Sequence, residues 1–222
     1  MTEERLILTI ALLGGTGNVG PGLARRWARS GYGVLIGSRQ AEKAHKVADE
    51  LNAELGVDCI HGMENGEAAR QADIAVLTVN HSAHQAALDG LKGALDGKIL
   101  VDATARVDFR DPRPPSSPSA ARIAQDVLGE RVRVVAAFQT VPAHALRHEH
   151  ADRMAMDVLV CADDVAAAEE VIKLSDGAGL NAYYAGGLDN AIVVEGLTAL
   201  VIQMNKHYKS KTGGIQVTGI QT

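Results

Sequence analysis

Aromatic residues are scarce, with Phe, Trp and Tyr together making up 3% of the 222 residues. A chain so poor in rings offers no platform for stacking nucleobases. Positive charge is not in excess either: 22 Lys and Arg against 27 Asp and Glu leave a net charge of −5. Both absences argue against nucleic acid as the principal partner. No apolar run approaches the ~20 residues that would span a bilayer, so no membrane partner is expected. There are only two cysteines, Cys59 and Cys161, far apart and outside any CxxC pair. They read as reduced core residues rather than a disulfide framework. The charged start Met1-Thr2-Glu3-Glu4-Arg5 leads directly into an apolar run, so no leader is read and a cytoplasmic location is expected. His144, His148 and His150, with Glu149 and Asp152 beside them, are the nearest approach to a metal-ligand grouping. Without cysteine or a tighter carboxylate cluster, no metal is expected there.

What the chain does have is an apolar fraction of 46% and 23 glycines, ordinary for a globular protein with a substantial core. Leu6 to Leu13 is a short apolar run with β-branched members, which reads as a buried strand. Further strands are expected at 34–37, 57–61, 72–79, 98–101, 132–138 and 156–161. Helices are expected between them, notably over 40–55, where Ala44, Val47, Ala48 and Leu51 mark an amphipathic face. Strands alternating with helices imply an α/β fold with a doubly wound, mainly parallel sheet of Rossmann type. Asp108 to Pro118 holds four of the six prolines and cannot be helix or central strand. Ser119 reads as the N-cap of a helix running through Leu128. The last helix, from Asn190 to about Tyr208, is apolar on several faces, as a helix buried between neighbours or at a dimer interface would be. The domain division expected is a nucleotide-binding domain over residues 5–142 and a smaller α/β extension over residues 143–222.

Directly behind the first strand stands Gly15-Thr16-Gly17-Asn18-Val19-Gly20, followed by a segment of helical spacing. Strand, GxGxxG turn and helix in that order form the dinucleotide-binding fingerprint. The glycines allow a tight turn, approach of a pyrophosphate, and close helix packing. The phosphates would meet the free N–H groups of the helix start. The end of the second strand selects the nucleotide. NAD-binding proteins place an acid there to hold the ribose 2′-hydroxyl, whereas this chain has Ser38-Arg39. A carboxylate would repel a 2′-phosphate, while Arg39 can bind one bidentately and Ser38 can donate to it. Lys43, one helical turn further on, can supply a second positive charge, so NADP(H) is expected rather than NAD(H).

ALLGGTGNVGPGLA, IGSRQAEKA, ADIAVLTV and the late FQTVPA together resemble the F420H2:NADP oxidoreductases, the NADPH-dependent coenzyme F420 reductase family. The resemblance runs from about Leu8 to the C-terminal GGIQVTGI. It implies a homodimer that passes hydride between NADP(H) and coenzyme F420, an 8-hydroxy-5-deazaflavin. It further implies that Thr16, Asn18 and Val19 contact the pyrophosphate and Ser38, Arg39 and Lys43 the 2′-phosphate. Val79, Asn80 and His81 would line the nicotinamide side, with Thr140, Val141, Pro142 and Ala143 near the reacting rings. The chain departs from the family pattern at Asn80 and His81, where a Pro and an aromatic residue are common, and at Gln139, where a His is common.

Ring-to-ring hydride transfer needs near-attack stacking at ~3–3.5 Å and exclusion of water, with no obligatory acid or base. No catalytic residue is therefore required, although His81 could polarise a ring carbonyl. The anionic tail of the deazaflavin needs a basic patch. Arg106, Arg110 and Arg113 form one candidate, and Lys206, His207, Lys209 and Lys211 the other. Two other readings remain open at this level. One is an NADP-dependent reductase of a small imine or keto acid, which would need His81 or His144 as proton donor. The other is a non-catalytic NADP(H)-binding redox sensor.

Overall fold

The computed structural model describes residues 8–148 and 151–220. Leu6, Ile7 and the charged start lie outside these residues, as do Glu149 and His150 of the histidine-rich segment.

Eight strands form one sheet. They are β1 (Thr9–Leu13), β2 (Gly33–Ser38), β3 (Ile60–Glu64), β4 (Ile74–Leu77), β5 (Ile99–Asp102), β6 (Arg133–Ala136), β7 (Asp157–Ala162) and β8 (Asn181–Tyr184). Their spatial order is β3-β2-β1-β4-β5-β6-β7-β8, with β3 through β6 parallel throughout. The order reverses between β1 and β4, which is where a doubly wound sheet opens its ligand crevice.

Side-chain alternation along β1 divides the core in two. Ile10 and Leu12 enter the cluster that also holds Leu23 and Trp27 of α1 (Gly20–Arg29) and Ala44, Ala48 and Leu51 of α2 (Ala41–Leu55). Ala11 and Leu13 enter the opposite cluster. That one contains Ala68 and Ala69 of α3 (Asn65–Gln71), Leu88 and Leu91 of α4 (His81–Leu91) and Ala121 and Ala124 of α5 (Ala120–Leu128). Ser119 caps α5, its side chain accepting from Arg122 N, in agreement with the sequence.

Beyond β6 the chain turns back. A six-residue helix, α6 (Ala143–His148), follows the strand and advances only about 9 Å at 1.5 Å per residue. The next strand re-enters from the same end, so β7 pairs antiparallel with β6 at Val135↔Ala162 and Ala136↔Cys161. Asp157, the first residue of β7, therefore lies toward the carboxyl ends of β1, β4, β5 and β6. α7 (Val165–Gly177) then returns the chain to β8, parallel to β7. The part after residue 142 thus adds β7 and β8 to the same eight-stranded sheet as the part before it. α1 fastens the two parts: Trp27 Nε1 donates to Leu174 O at 2.9 Å, and Arg26 Nη1 to Ala178 O at 2.9 Å.

Three elements depart from the sequence reading. β3 begins at Ile60 rather than Val57, because Gly56 ends α2 in the left-handed region. The Asn52 amide then grips both backbone groups of Ile60, at 2.8 and 3.2 Å, and residues 57–59 are spent on the turn. α6 and β8 carry too few periodic apolar positions to be read from sequence. The proline-rich segment is laid along α8 (Ala191–His207), where Gln203 donates to Pro112 O and Lys206 to Arg110 O. Among the described residues no helix is long and apolar enough to cross a membrane.

Candidate active site

A cleft of about 720 Å³ opens at the carboxyl ends of β1, β2, β3 and β4. The fingerprint forms its wall. β1 ends at Leu13, and the turn that follows is closed by Gly15 N donating to Leu12 O and to Gly37 O. Gly20 is demanded by the protein's own packing, since a Cβ there would lie 2.1 Å from Gly15 O. Gly17 is different. A Cβ on it would meet only Gly14 O at 3.4 Å and Thr78 O at 3.8 Å, ordinary contacts. Because Gly17 borders the cleft, its smallness keeps space for a ligand.

Thr16, Gly17, Asn18, Ser38, Arg39, Lys43, Val79 and Asn80 all line the cleft. Gly15, Val19 and Gly20 belong to the same turn but stand behind its surface. Ser38 is buried, its Oγ accepting from Gln40 N at 3.2 Å. Arg39 and Lys43 are exposed, and neither forms an ion pair with another described residue. Two unpaired cations thus face the end of the cleft bounded by β2 and β3.

His81 opens α4 but is not a wall of the cleft. Its imidazole is held below the ordinary histidine range, first by partial burial and then by the positive charge of Arg106 and His84. Thr140 and Val141 are buried, and none of Thr140, Val141, Pro142 and Ala143 lines the cleft. α6, which starts at Ala143, is nevertheless packed on the glycine turn. Arg147 Nη2 donates to Gly17 O at 2.9 Å, and Gly22 of α1 touches Leu146 so closely that a Cβ would come within 2.6 Å of it.

Several polar residues of this region escaped the sequence reading. Asp102 ends β5 fully buried, accepting from His84 Nε2 at 2.7 Å and from Thr104 N at 2.9 Å. Its backbone carbonyl accepts from Gln139 Nε2 at 2.9 Å. Gln139 Oε1 and Thr104 Oγ1 are buried without a hydrogen-bond partner among the described residues. Glu195 of α8 is fully buried and takes Ala120 N at 2.6 Å and Arg106 N at 2.9 Å. Burial pushes its carboxyl above the usual range, only partly offset by those two N–H groups. Glu64 and Asn65, at the junction of β3 and α3, also line the cleft. An acid closing an apolar strand, as in Ile99-Leu100-Val101-Asp102, was the one signal available for Asp102. Gln139 stands out only as a departure from the family pattern, and Thr104, Glu195, Glu64 and Asn65 sit in segments with no distinguishing pattern.

The two basic clusters foreseen in the sequence are not separate: Lys206 Nζ donates to Arg110 O at 3.1 Å. Arg113 is paired with Asp111, and Arg106 Nη1 is engaged by the carbonyls of Ser116 and Pro118. Among the described residues no group of three His, Cys, Asp or Glu is arranged to hold a metal. The His144 and His148 rings meet at a tilt of 45°, with centroids 4.3 Å apart.

Comparison with known proteins adds to this geometry. Residues 9–106 match the family model described as NADP oxidoreductase, coenzyme F420-dependent. The F420-dependent NADP reductase of Methanothermobacter thermautotrophicus is 35% identical, over 97% of this chain and 97% of its own. That of Methanocaldococcus jannaschii is 38% identical, over 96% of this chain and 100% of its own. A crystal structure from Arthrobacter sp. FB24 superposes with a TM-score of 0.78 at 25% identity, over 95% of this chain and 99% of that one. The NADP-bound pyrroline carboxylate reductase of Plasmodium falciparum shares the fold alone, with a TM-score of 0.59 at 13% identity, over 92% of this chain and 65% of that one. With full-length relatives at this identity and the fingerprint in place, the chain belongs to the F420-dependent NADP oxidoreductase family.

Proposed function

We propose that the cleft binds NADP(H) in an extended pose and that hydride passes directly between its nicotinamide and the deazaflavin of coenzyme F420. The observation that carries the nucleotide half is the pair of unpaired cations, Arg39 and Lys43, beside Ser38 at the mouth of the cleft. A phosphomonoester at the 2′ position carries about −1.5 to −2 charges at neutral pH and would otherwise be the costliest group to place. Gly17 supports the pyrophosphate position, since its lack of a side chain serves no packing need of the protein.

The chain's residues act here by binding and orientation. Thr16, Asn18 and the N–H groups of the turn hold the pyrophosphate. Val79 and Asn80 form the wall against which the nicotinamide lies, in front of β4. The segment Thr140–Ala143 and the C-terminal tail, which joins β7 through Asp157 N to Ile215 O at 2.7 Å, bound the space for the second ring. The orphaned Gln139 Oε1 and Thr104 Oγ1, whose residues both bond to Asp102 at the carboxyl end of β5, suit a ring edge that donates hydrogen bonds. Partial burial and the positive charge of Arg106 hold the His81 imidazole below the ordinary histidine range, in keeping with transfer that needs no acid. The balanced reaction is NADPH plus oxidised F420 plus one proton from solvent, giving NADP⁺ and reduced F420.

In this reading residues 5–142 serve the nucleotide and residues 143–222 complete the deazaflavin site. The chain works as a homodimer through the exposed Val193, Leu200 and Met204 of α8. Mixing the protein with NADPH and oxidised F420 should bleach the visible absorbance of the deazaflavin. Unchanged absorbance at stoichiometric protein, with NADPH bound, would remove F420 as the substrate and return the imine or keto acid reading to the front.

A further inference from the structure

Asn65 is the first residue of α3, yet its side chain turns away from that helix. Its Oδ1 accepts from Gly14 N at 3.0 Å, across 51 residues of sequence. Because the partner is an N–H donor, the atom facing it must be the amide oxygen, which fixes the orientation of the side chain. Two glycines make the contact possible. Gly14 takes φ of +74°, and a Cβ on it would come within 2.6 Å of Val79 Cγ1. A Cβ on Gly37 would come within 2.8 Å of Asn65 Oδ1 and 3.3 Å of its Cα. One amide therefore ties the end of β1 to the start of α3, with Gly37 of β2 packed against it, at the entrance to the glycine turn.

The other end of the amide is unspent. Asn65 lines the cleft beside Ser38, Arg39 and Lys43, and its Nδ2 donates to no described residue. The adjoining Glu64, register partner of Ser38 on β2, has one carboxylate oxygen occupied by Gly66 N at 2.8 Å. Asn65 thus adds a neutral donor beside the two cations and the acid at the β2 and β3 end of the cleft.

We propose that Asn65 is a positioning and specificity residue for the nucleotide. Its Oδ1 braces the glycine turn, and its Nδ2 donates to an oxygen of the bound adenosine half, either a ribose hydroxyl or the 2′-phosphate. This rests on the NADP(H) reading above and adds a residue to it from outside the fingerprint. The two functions separate by substitution. Asn65→Asp keeps an acceptor for Gly14 N–H and loses the donor, whereas Asn65→Ala loses both.

The test uses the full-length protein without F420. Binding of 2′,5′-ADP and of 5′-AMP is measured by titration calorimetry, and exchange of the Gly14 amide by NMR. Both variants should bind 2′,5′-ADP at least fivefold more weakly than wild type. Only Asn65→Ala should speed Gly14 exchange, by tenfold or more, while Asn65→Asp keeps the wild-type protection. A deficit toward 5′-AMP as large as that toward 2′,5′-ADP identifies the ribose as the acceptor, and a deficit confined to 2′,5′-ADP identifies the phosphate. Asn65→Ala affinity within twofold of wild type for both nucleotides overturns the donor role, and unchanged Gly14 exchange in that variant overturns the brace. If wild type itself does not bind 2′,5′-ADP, the NADP(H) reading fails and takes this proposal with it, a result distinct from both of the others.

Discussion

Replacing Arg39 with Ala tests the nucleotide half of the site most directly. The guanidinium is exposed, borders the cleft and has no ion-pair partner among the described residues. Its removal therefore frees no buried charge and should leave the fold intact. A hydrogen bond to a charged group contributes about 1.5–3 kcal/mol, and each 1.4 kcal/mol is a factor of ten in affinity. The KM for NADPH should thus rise roughly 10- to 100-fold. Uniform binding is what is lost, so kcat should stay within about twofold. NADH has no 2′-phosphate, and its KM should change by less than about twofold. Because both charges are in contact with solvent, the NADPH effect should shrink as salt rises from about 0.01 to 1 M and the Debye length falls from ~30 to ~3 Å. The assay is steady-state reduction of F420 by each nucleotide at several ionic strengths. Equal effects on NADPH and NADH, or a fall in kcat with KM unchanged, would refute the assignment of Arg39 to the 2′-phosphate.

Three further outcomes follow from the geometry. Gly17→Ala should melt within a few degrees of wild type yet bind NADPH at least tenfold more weakly, whereas Gly20→Ala should be grossly destabilised by the clash with the Gly15 backbone. Thermal melts beside nucleotide titrations separate the two, and a Gly17→Ala protein with normal affinity would count against the pyrophosphate position. For Glu195 the folded-state pKa is raised, so the folded protein holds this proton more tightly than the unfolded chain does. Wild type should therefore lose stability relative to Glu195→Gln as pH rises from about 4.5 through the folded pKa, measured by urea unfolding across pH. A difference independent of pH would mean the carboxyl is not perturbed. His81→Ala should lower kcat by less than about tenfold, since general acids contribute 10²–10⁴. A loss of a hundredfold or more in pre-steady-state transfer would make His81 a proton donor.

The sequence alone determined the nucleotide half of this protein. Its signals are local: an apolar run, three glycines at fixed spacing, and Ser38, Arg39 and Lys43 at the end of the next strand. Chain connectivity alone brings those residues to one end of the sheet, because every βα turn of a parallel, right-handed fold opens on the same side. Ser119 was legible for the same reason, as capping is decided within four residues. What only the tertiary structure decided depends on contacts between distant segments. The reversal of β7 is seen only in its antiparallel pairing with β6 at Val135↔Ala162 and Ala136↔Cys161, which no periodicity marks. The buried His84–Asp102 pair, the Glu195 carboxylate under the proline-rich segment, and the merging of the Arg110 and Lys206 clusters each join residues from different elements. Asn65 is the clearest case: an asparagine at a helix start looks like any turn residue. It became part of the site only because Gly14 and Gly37, on two other strands' ends, leave room for its amide to close between them.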